Sequence, residues 1–144
     1  MPTDVEDFWP NEIGEAKKIA IPASIAAQQA ALLGQKTKNV VTAHIISLTS
    51  SEAGRVRFGF NLVAPTLSNY KLRLFDFEYR LDRWYPVVVE NLGFRGLKQS
   101  LQAADEAEWK ELLKRIFSHE SVIRIIQALQ SQSEDLGNTD EIPF

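Results

Sequence analysis

The sequence predicts an α+β fold with an N-terminal helix, a four-stranded antiparallel meander, two C-terminal helices and a disordered acidic tail. Three patterns predict it: helix formers before residue 37, alternating apolar and polar residues between 39 and 90, and a helical apolar period between 105 and 130. The 144 residues, 44% hydrophobic and 24% charged, suit one globular domain. We expect an acidic arm over residues 1–20, a single domain over 21–130 and a flexible tail over 131–144.

The first helix is expected from about Pro22 to Lys36. Proline suits the first turn of a helix, because its missing N–H would have no helical partner there. The alanines and leucines that follow are strong helix formers, and Gly34 weakens the end.

Four strands are expected between residues 39 and 90, joined by short turns that favour antiparallel pairing. In the third, over residues 70–81, the apolar residues change face near Leu74–Phe75. This change predicts either a bulge or a strand that is covered on both sides. The fourth, over residues 85–89, contains Pro86, which places it at an edge of the sheet.

The second strand separates an apolar face from a charged one. Phe58 and Phe60 share the apolar face and are interpreted as core. If this strand pairs with the third, four cations come together on the opposite face: Arg55, Arg57, Lys71 and Arg73. They could follow a phosphate backbone, so we predict a nucleic-acid surface here, with a merely solvated face as the alternative. Residues 21–102 hold ten bases and five acids, which agrees with a basic body between acidic ends.

The apolar period returns in two C-terminal helices. Asp105 and Glu108 are spaced as a capping box at the start of the first helix. Ser118 is expected to cap the second, with His119 in the turn between them, where it can help to cap. From Ser131 onward the apolar pattern stops, which predicts disorder.

Motifs for catalysis and metal binding are missing from the sequence. It contains no cysteine and only two histidines, so it has neither thiolate ligands nor a zinc-protease motif. Asp76 and Glu78 share a strand face, where salt pairs with Arg73 and Arg80 are the commoner arrangement. We expect no enzyme, no cofactor and no metal. A small-ligand or metal site around Asp76, Glu78 and His44 is a remaining alternative.

The two glycines of Gly93–Gly96 invite comparison with loops that clamp a nucleic-acid backbone, although a turn out of the fourth strand explains them equally. The chain begins with acids instead of a basic region followed by an apolar run, and no stretch is long and apolar enough to span a membrane. We therefore expect a cytoplasmic location and no membrane partner.

The last five residues have the composition of a recognition element: Asp140, Glu141, Ile142, Pro143 and Phe144. The Phe144 ring suits an apolar pocket, and its terminal carboxylate suits a cation at the mouth of that pocket. Pro143 restricts the backbone, which lowers the entropy lost on docking. The two acids suit a basic rim and would make binding sensitive to salt.

This segment resembles the acidic tip of bacterial single-stranded DNA-binding proteins, which recruits replication and repair enzymes. The resemblance covers the tip alone; residues 1–130 carry no recognised motif, and the long Gly, Pro and Gln-rich linker of that family is missing. It implies an accessory protein of single-stranded DNA metabolism, bacterial or phage in origin. The alternative is a homo-oligomeric scaffold without nucleic acid, in which the apolar faces around Ala26–Leu33 and Trp109–Leu129 pack against another copy.

Overall fold

The computed structural model describes residues 5–14, 21–95, 97 and 101–139, the last four by their backbone. Within these residues the chain is α+β, with three α-helices and one five-stranded antiparallel sheet. The strands lie in the sheet in chain order. The elements are α1 (Pro22–Lys36), β1 (Thr42–Leu48), β2 (Arg55–Ala64), a 3-10 turn (Pro65–Leu67), β3 (Tyr70–Arg80), β4 (Val87–Glu90), β5 (Leu101–Ala103), α2 (Glu106–Phe117) and α3 (Glu120–Thr139).

The core lies between one face of the sheet and the helices. Phe60 stacks on Phe75 with ring centroids 5.2 Å apart, and Phe77 contacts the ring of Trp109 at 5.2 Å. Trp109 is fully buried, and its Nε1 donates to the Pro22 carbonyl at 3.1 Å, which ties α2 to the start of α1. The prediction that Phe60 belongs to the core is confirmed, while Phe58 is partly buried and packs against the core, where it stacks on Phe77 at 5.5 Å.

Most of the apolar side chains that a scaffold would need are used inside the chain, although Leu32 and Ile123 are exposed. Trp109, Leu112, Leu113 and Ile116 of α2 are buried in the core, together with Ile25, Ala26 and Ala30 of α1. These side chains are therefore not available to a second copy.

The predicted bulge in the third strand is confirmed. Phe60 pairs with Phe75 and Asn61 pairs with Arg73, so Leu74 is the extra residue of β3. Because of this bulge, both Leu74 and Phe75 lie in the core. The backbone N–H of Gly93 donates to the Leu74 carbonyl at 2.7 Å, which places the loop after β4 against the bulge.

The edge of the sheet differs from the prediction. β4 pairs with both β3 and β5, so β4 is internal among the described strands and the expected edge position was wrong. Pro86 precedes the first residue of β4, so its missing N–H costs the strand no ladder hydrogen bond. The short β5 follows residues 98–100, which lie outside the described part, and was missed because three residues show no alternation.

The capping box is confirmed, and the interhelical turn is corrected. Asp105 accepts from the backbone N–H of Glu108 at 2.8 Å, while the Glu108 carboxylate accepts from the N–H of Ala104 at 2.8 Å. Ser118 does not cap the second helix; its hydroxyl donates to the Lys114 carbonyl at the end of α2. His119 takes that role, because its Nδ1 accepts from the N–H of Ser121 at 3.1 Å.

The third helix is longer than expected. α3 continues from residue 131 to Thr139, over a stretch for which disorder was predicted. Ser133 is buried, so this part of the helix packs against other residues despite its polar sequence. The tip, residues 140–144, lies outside the described residues. No helix among the described residues is both long and apolar enough to cross a lipid bilayer.

Candidate nucleic-acid interface on the sheet

The face of the sheet opposite the helices carries the four predicted cations. The register places Arg57 opposite Glu78, Arg73 opposite Asn61 and Lys71 opposite Val63. All four cations therefore lie on one face, as expected from the alternation. We call this surface, with the acids among the cations, the polar sheet face.

Asp76 is the centre of the polar sheet face and is only 5% exposed. Its two carboxylate oxygens accept three hydrogen bonds from different elements. Arg73 donates at 2.8 Å, Asn91 at 2.9 Å and Arg57 at 3.1 Å. A carboxylate so placed joins β2, β3 and the end of β4 through charge-assisted bonds.

Glu78 forms a second centre on the same face. It accepts from Arg55 Nε at 2.7 Å and from the Ser50 hydroxyl at 3.1 Å. Arg57 lies between the two acids, with Nη1 3.5 Å from Glu78 Oε1 and 3.7 Å from Glu90 Oε1. Arg57 thus contacts three carboxylates, and its charge is neutralised by acids of the same chain.

These contacts favour the charged forms, because they lower the pKa values of the two acids and raise that of Arg57. Burial raises the pKa of Asp76, but the hydrogen bonds from Asn91, Arg73 and Arg57 outweigh it and leave the pKa below its ordinary value. Burial likewise opposes ionisation of Glu78, yet its bonds to Arg55 and Ser50 lower the pKa. For Arg57, burial lowers the pKa and its bond to Asp76 raises it, with a net increase. Asp76, Glu78 and Arg57 are therefore charged at neutral pH.

A glycine gives Arg73 its position. A Cβ at Gly59 would lie 2.8 Å from Arg73 Nε and 2.9 Å from Cζ, so the guanidinium lies directly over this residue. From there Nε donates to Asn61 Oδ1 at 2.6 Å while Nη1 reaches Asp76. Any side chain at position 59 would displace the guanidinium.

The cations that remain open to a ligand lie at one end of the face. Lys71 is exposed and makes no ion pair with any residue that the structure describes. Arg73 beside it keeps 37% of its side chain exposed. The register extends this end to β1, where His44 pairs with Asn61, and the His44 ring contacts the Thr42 hydroxyl at 3.2 Å. We call Lys71, Arg73, Asn61 and His44 the Lys71 end of the polar sheet face.

Two members of the network, Glu90 and Asn91, were not predicted from the sequence. Asn91 has a positive φ of 53°, a conformation that Asn adopts more readily than most residues, and this turn directs its amide to Asp76. An Asn directly after a strand is the signal that could have indicated the turn. Nothing local in the sequence indicates its contact with Asp76, 15 positions earlier.

The loop after β4 is a structural turn. A Cβ at Gly93 would lie 2.2 Å from the Arg73 carbonyl oxygen, so the open side of this glycine faces β3. The Phe94 ring packs on His119 at 5.1 Å. Gly93 is thus required for packing, whereas Gly96 lies outside the described residues.

The alternative metal site finds no support in the geometry. Among the residues that the structure describes, no group of three or more His, Asp or Glu side chains is placed to hold a metal ion. Asp76 and Glu78 face arginines instead, and His44 contacts Thr42.

Comparisons with protein-family models, with curated proteins and with solved structures found no match for the chain.

Proposed function

We propose that the protein is a non-enzymatic accessory factor of single-stranded DNA metabolism in the cytoplasm of a bacterium or of a phage-infected cell. It recruits replication or repair enzymes through residues 140–144 and contacts single strands with the Lys71 end of the polar sheet face. The observation that carries this proposal is the segment Asp140–Phe144, two acids followed by an aliphatic residue, proline and phenylalanine.

The extent of α3 bears on how a partner reaches the tip. The helix continues to Thr139, the residue directly before Asp140. Five extended residues reach about 17 Å, whereas the 14 residues of the expected tail would reach about 46 Å. A partner therefore has to approach the C-terminal end of α3 to bind the tip.

The chemistry of the tip suits a modest and reversible contact. Phe144 and Ile142 supply the apolar area, and Pro143 limits the entropy lost on docking. Asp140 and Glu141 pair with a basic rim on the partner, so binding weakens as salt rises.

A pull-down from bacterial lysate tests the tip. The intact chain is compared with a chain that lacks Phe144 and with a Glu134→Gln chain, a nearby change of one exposed acid outside the tip. We expect genome-maintenance enzymes to be captured by the intact and Glu134→Gln chains and lost with the deletion. Equal capture by all three chains contradicts a role for the tip.

The ion pairs limit what the polar sheet face can do for nucleic acid. Arg55 and Arg57 are committed to Glu78 and Asp76, which leaves Lys71 and the exposed part of Arg73 for phosphates. Two phosphate contacts to a single strand give a slope of log affinity against log salt of about −1.4. We therefore expect weak binding whose affinity falls only about sevenfold between 50 and 200 mM salt.

An anisotropy titration with a labelled oligonucleotide tests this second part separately. Lys71→Ala should weaken binding and reduce the salt slope by about 0.7. Lys114→Ala is the matched control, since this lysine is 75% exposed on α2, on the helical side of the sheet. Equal effects of the two substitutions, or no binding at low salt, would contradict the proposed nucleic-acid contact. Neither result would bear on recruitment through the tip.

A further inference from the structure

The N-terminal arm exposes four apolar side chains in ten residues. Phe8 is 85% exposed and Trp9 73%, and Val5 and Ile13 are also in solvent. The arm has local order, because the N–H of Trp9 donates to the Asp7 carboxylate at 2.9 Å and that of Ile13 to the Pro10 carbonyl at 3.1 Å. Two adjacent aromatic rings exposed to water are more typical of an interaction site than of an arm that is only solvated.

The body contains an apolar cleft that suits such rings. It has a volume of about 250 Å³ and lies between α1, the core face of the sheet, the end of α2 and the first half of α3. Its walls include Leu33, Phe60, Leu74 and Phe117, and the exposed Leu32 lies at its mouth. A cavity of about 150 Å³ admits benzene, whereas drug-sized ligands occupy about 300 Å³ or more. The cleft therefore suits an aromatic side chain better than a whole small molecule.

The rim of the cleft is basic. Lys36 lines the cleft itself, and a second depression that shares Gln29 and Phe117 with it is lined by Lys110 and Lys114. No acid is among the residues lining either depression in the described part of the chain. The ion pairs of Lys110 and Lys114 with acids on α2 are exposed and contribute little, so both lysines can accept another partner.

The arm has the complementary charge, because Glu6 and Asp7 directly precede Phe8 and Trp9. We propose that the arm of one copy docks in the cleft of a second copy, with one aromatic ring in the apolar cleft, the other against its mouth and the two acids against the lysines. Within one copy the rings remain in solvent, so neither surface is used. Two copies can exchange arms about a two-fold axis, and each then supplies one ligand and one cleft.

The available chain length and area are sufficient for this exchange. Twelve residues separate Trp9 from Pro22, and twelve residues span up to about 40 Å. Phe and Trp each bury about 150–250 Å² when fully enclosed, so four rings and the surfaces that cover them bury at most about 1,200–2,000 Å² in total. This is the size of a specific protein interface. The exchange is independent of tip recruitment, because it uses neither residues 140–144 nor the polar sheet face.

Sedimentation equilibrium of the full chain over a range of concentrations tests the dimer. We expect a reversible dimer whose dissociation constant rises at least about tenfold in the Phe8→Ala/Trp9→Ala chain. Leu81→Ala removes another exposed apolar side chain, 65% exposed outside the arm and the cleft, and should leave the dimer unchanged. A chain that stays monomeric up to about 1 mM, or a dimer unaffected by the arm substitutions, overturns the proposal.

Complementation between variants tests the direction of docking. Leu32→Arg changes an exposed residue at the mouth of the cleft and should weaken self-association as the arm variant does. A mixture of the Leu32→Arg chain and the Phe8→Ala/Trp9→Ala chain retains one intact arm and one intact cleft, so a mixed dimer should form. Absence of the mixed dimer contradicts the exchange. Protection of Trp9 from acrylamide quenching that does not depend on concentration indicates docking in its own cleft and also overturns it.

Discussion

The carboxylate of Asp76 should contribute more to stability than any other acid on the polar sheet face. Replacing it by alanine removes three hydrogen bonds at once and leaves the guanidinium groups of Arg57 and Arg73 without this partner. Asp76 is 5% exposed, so water does not replace these bonds in the folded protein. The substitution is therefore comparable to breaking a buried ion pair, which lowers the free energy of unfolding by about 3–5 kcal/mol.

The surroundings of the two arginines set the value within that range. Arg57 keeps Glu78 and Glu90, and Arg73 is 37% exposed and can turn toward water. Both effects reduce the cost of the lost partner, so we expect about 3 kcal/mol for Asp76→Ala. This is a large share of the roughly 5–15 kcal/mol that separates folded from unfolded chains.

Urea denaturation followed by circular dichroism measures this difference, and Glu90→Ala is the matched control. Glu90 also pairs with Arg57, but at 3.7 Å and with 44% of its side chain exposed, so its removal should cost less than about 1 kcal/mol. Equal losses for Asp76→Ala and Glu90→Ala would refute the role of Asp76 as the centre of the network.

Three further predictions concern the same region and the helix that follows it. Gly93→Ala should destabilise the fold more than Gly59→Ala in urea denaturation. The added Cβ at position 93 would lie 2.2 Å from the backbone carbonyl oxygen of Arg73, whereas the Cβ at position 59 would meet the Arg73 side chain, which can move. The pKa of Asp76 is lower in the folded chain than its unfolded value of about 3.9. The contribution of its carboxylate to folding stability is therefore complete above about pH 3.9 and is lost as pH falls through the folded pKa. When thermal unfolding is compared at about pH 5 and pH 3, the intact chain should lose more stability than Asp76→Ala. Asp105→Ala should cost about 1 kcal/mol in urea, since it removes the cap of α2, and Asp105→Asn should restore most of it.

Local patterns predicted the elements whose causes are local. The first helix follows from its proline and alanines, and the capping box follows from two residues three positions apart. The bulge at Leu74 was detectable because an extra residue reverses the alternation of apolar side chains. In each case the physical cause lies within a few residues of its effect.

The errors have non-local causes. β5 contains three residues and exists because β4 offers a partner edge, which no local period reveals. The second half of α3 is polar in sequence, yet the burial of Ser133 shows that tertiary contacts support it. The alternation correctly placed the four cations on one face, but their neutralisation depends on a register that brings Glu78 opposite Arg57 and on the turn at Asn91.

The measurement that tests tip recruitment most directly is a fluorescence polarisation titration with a purified partner. The chain has no cysteine, so a dye can be attached to Glu52→Cys in the exposed turn between β1 and β2, well separated in sequence from the tip. An exonuclease that binds the tip of bacterial single-stranded DNA-binding proteins is then added to the labelled chain, with and without residues Ile142–Phe144. We predict binding that weakens with salt and disappears with the truncation, whereas equal affinity of the two chains would contradict the proposed function.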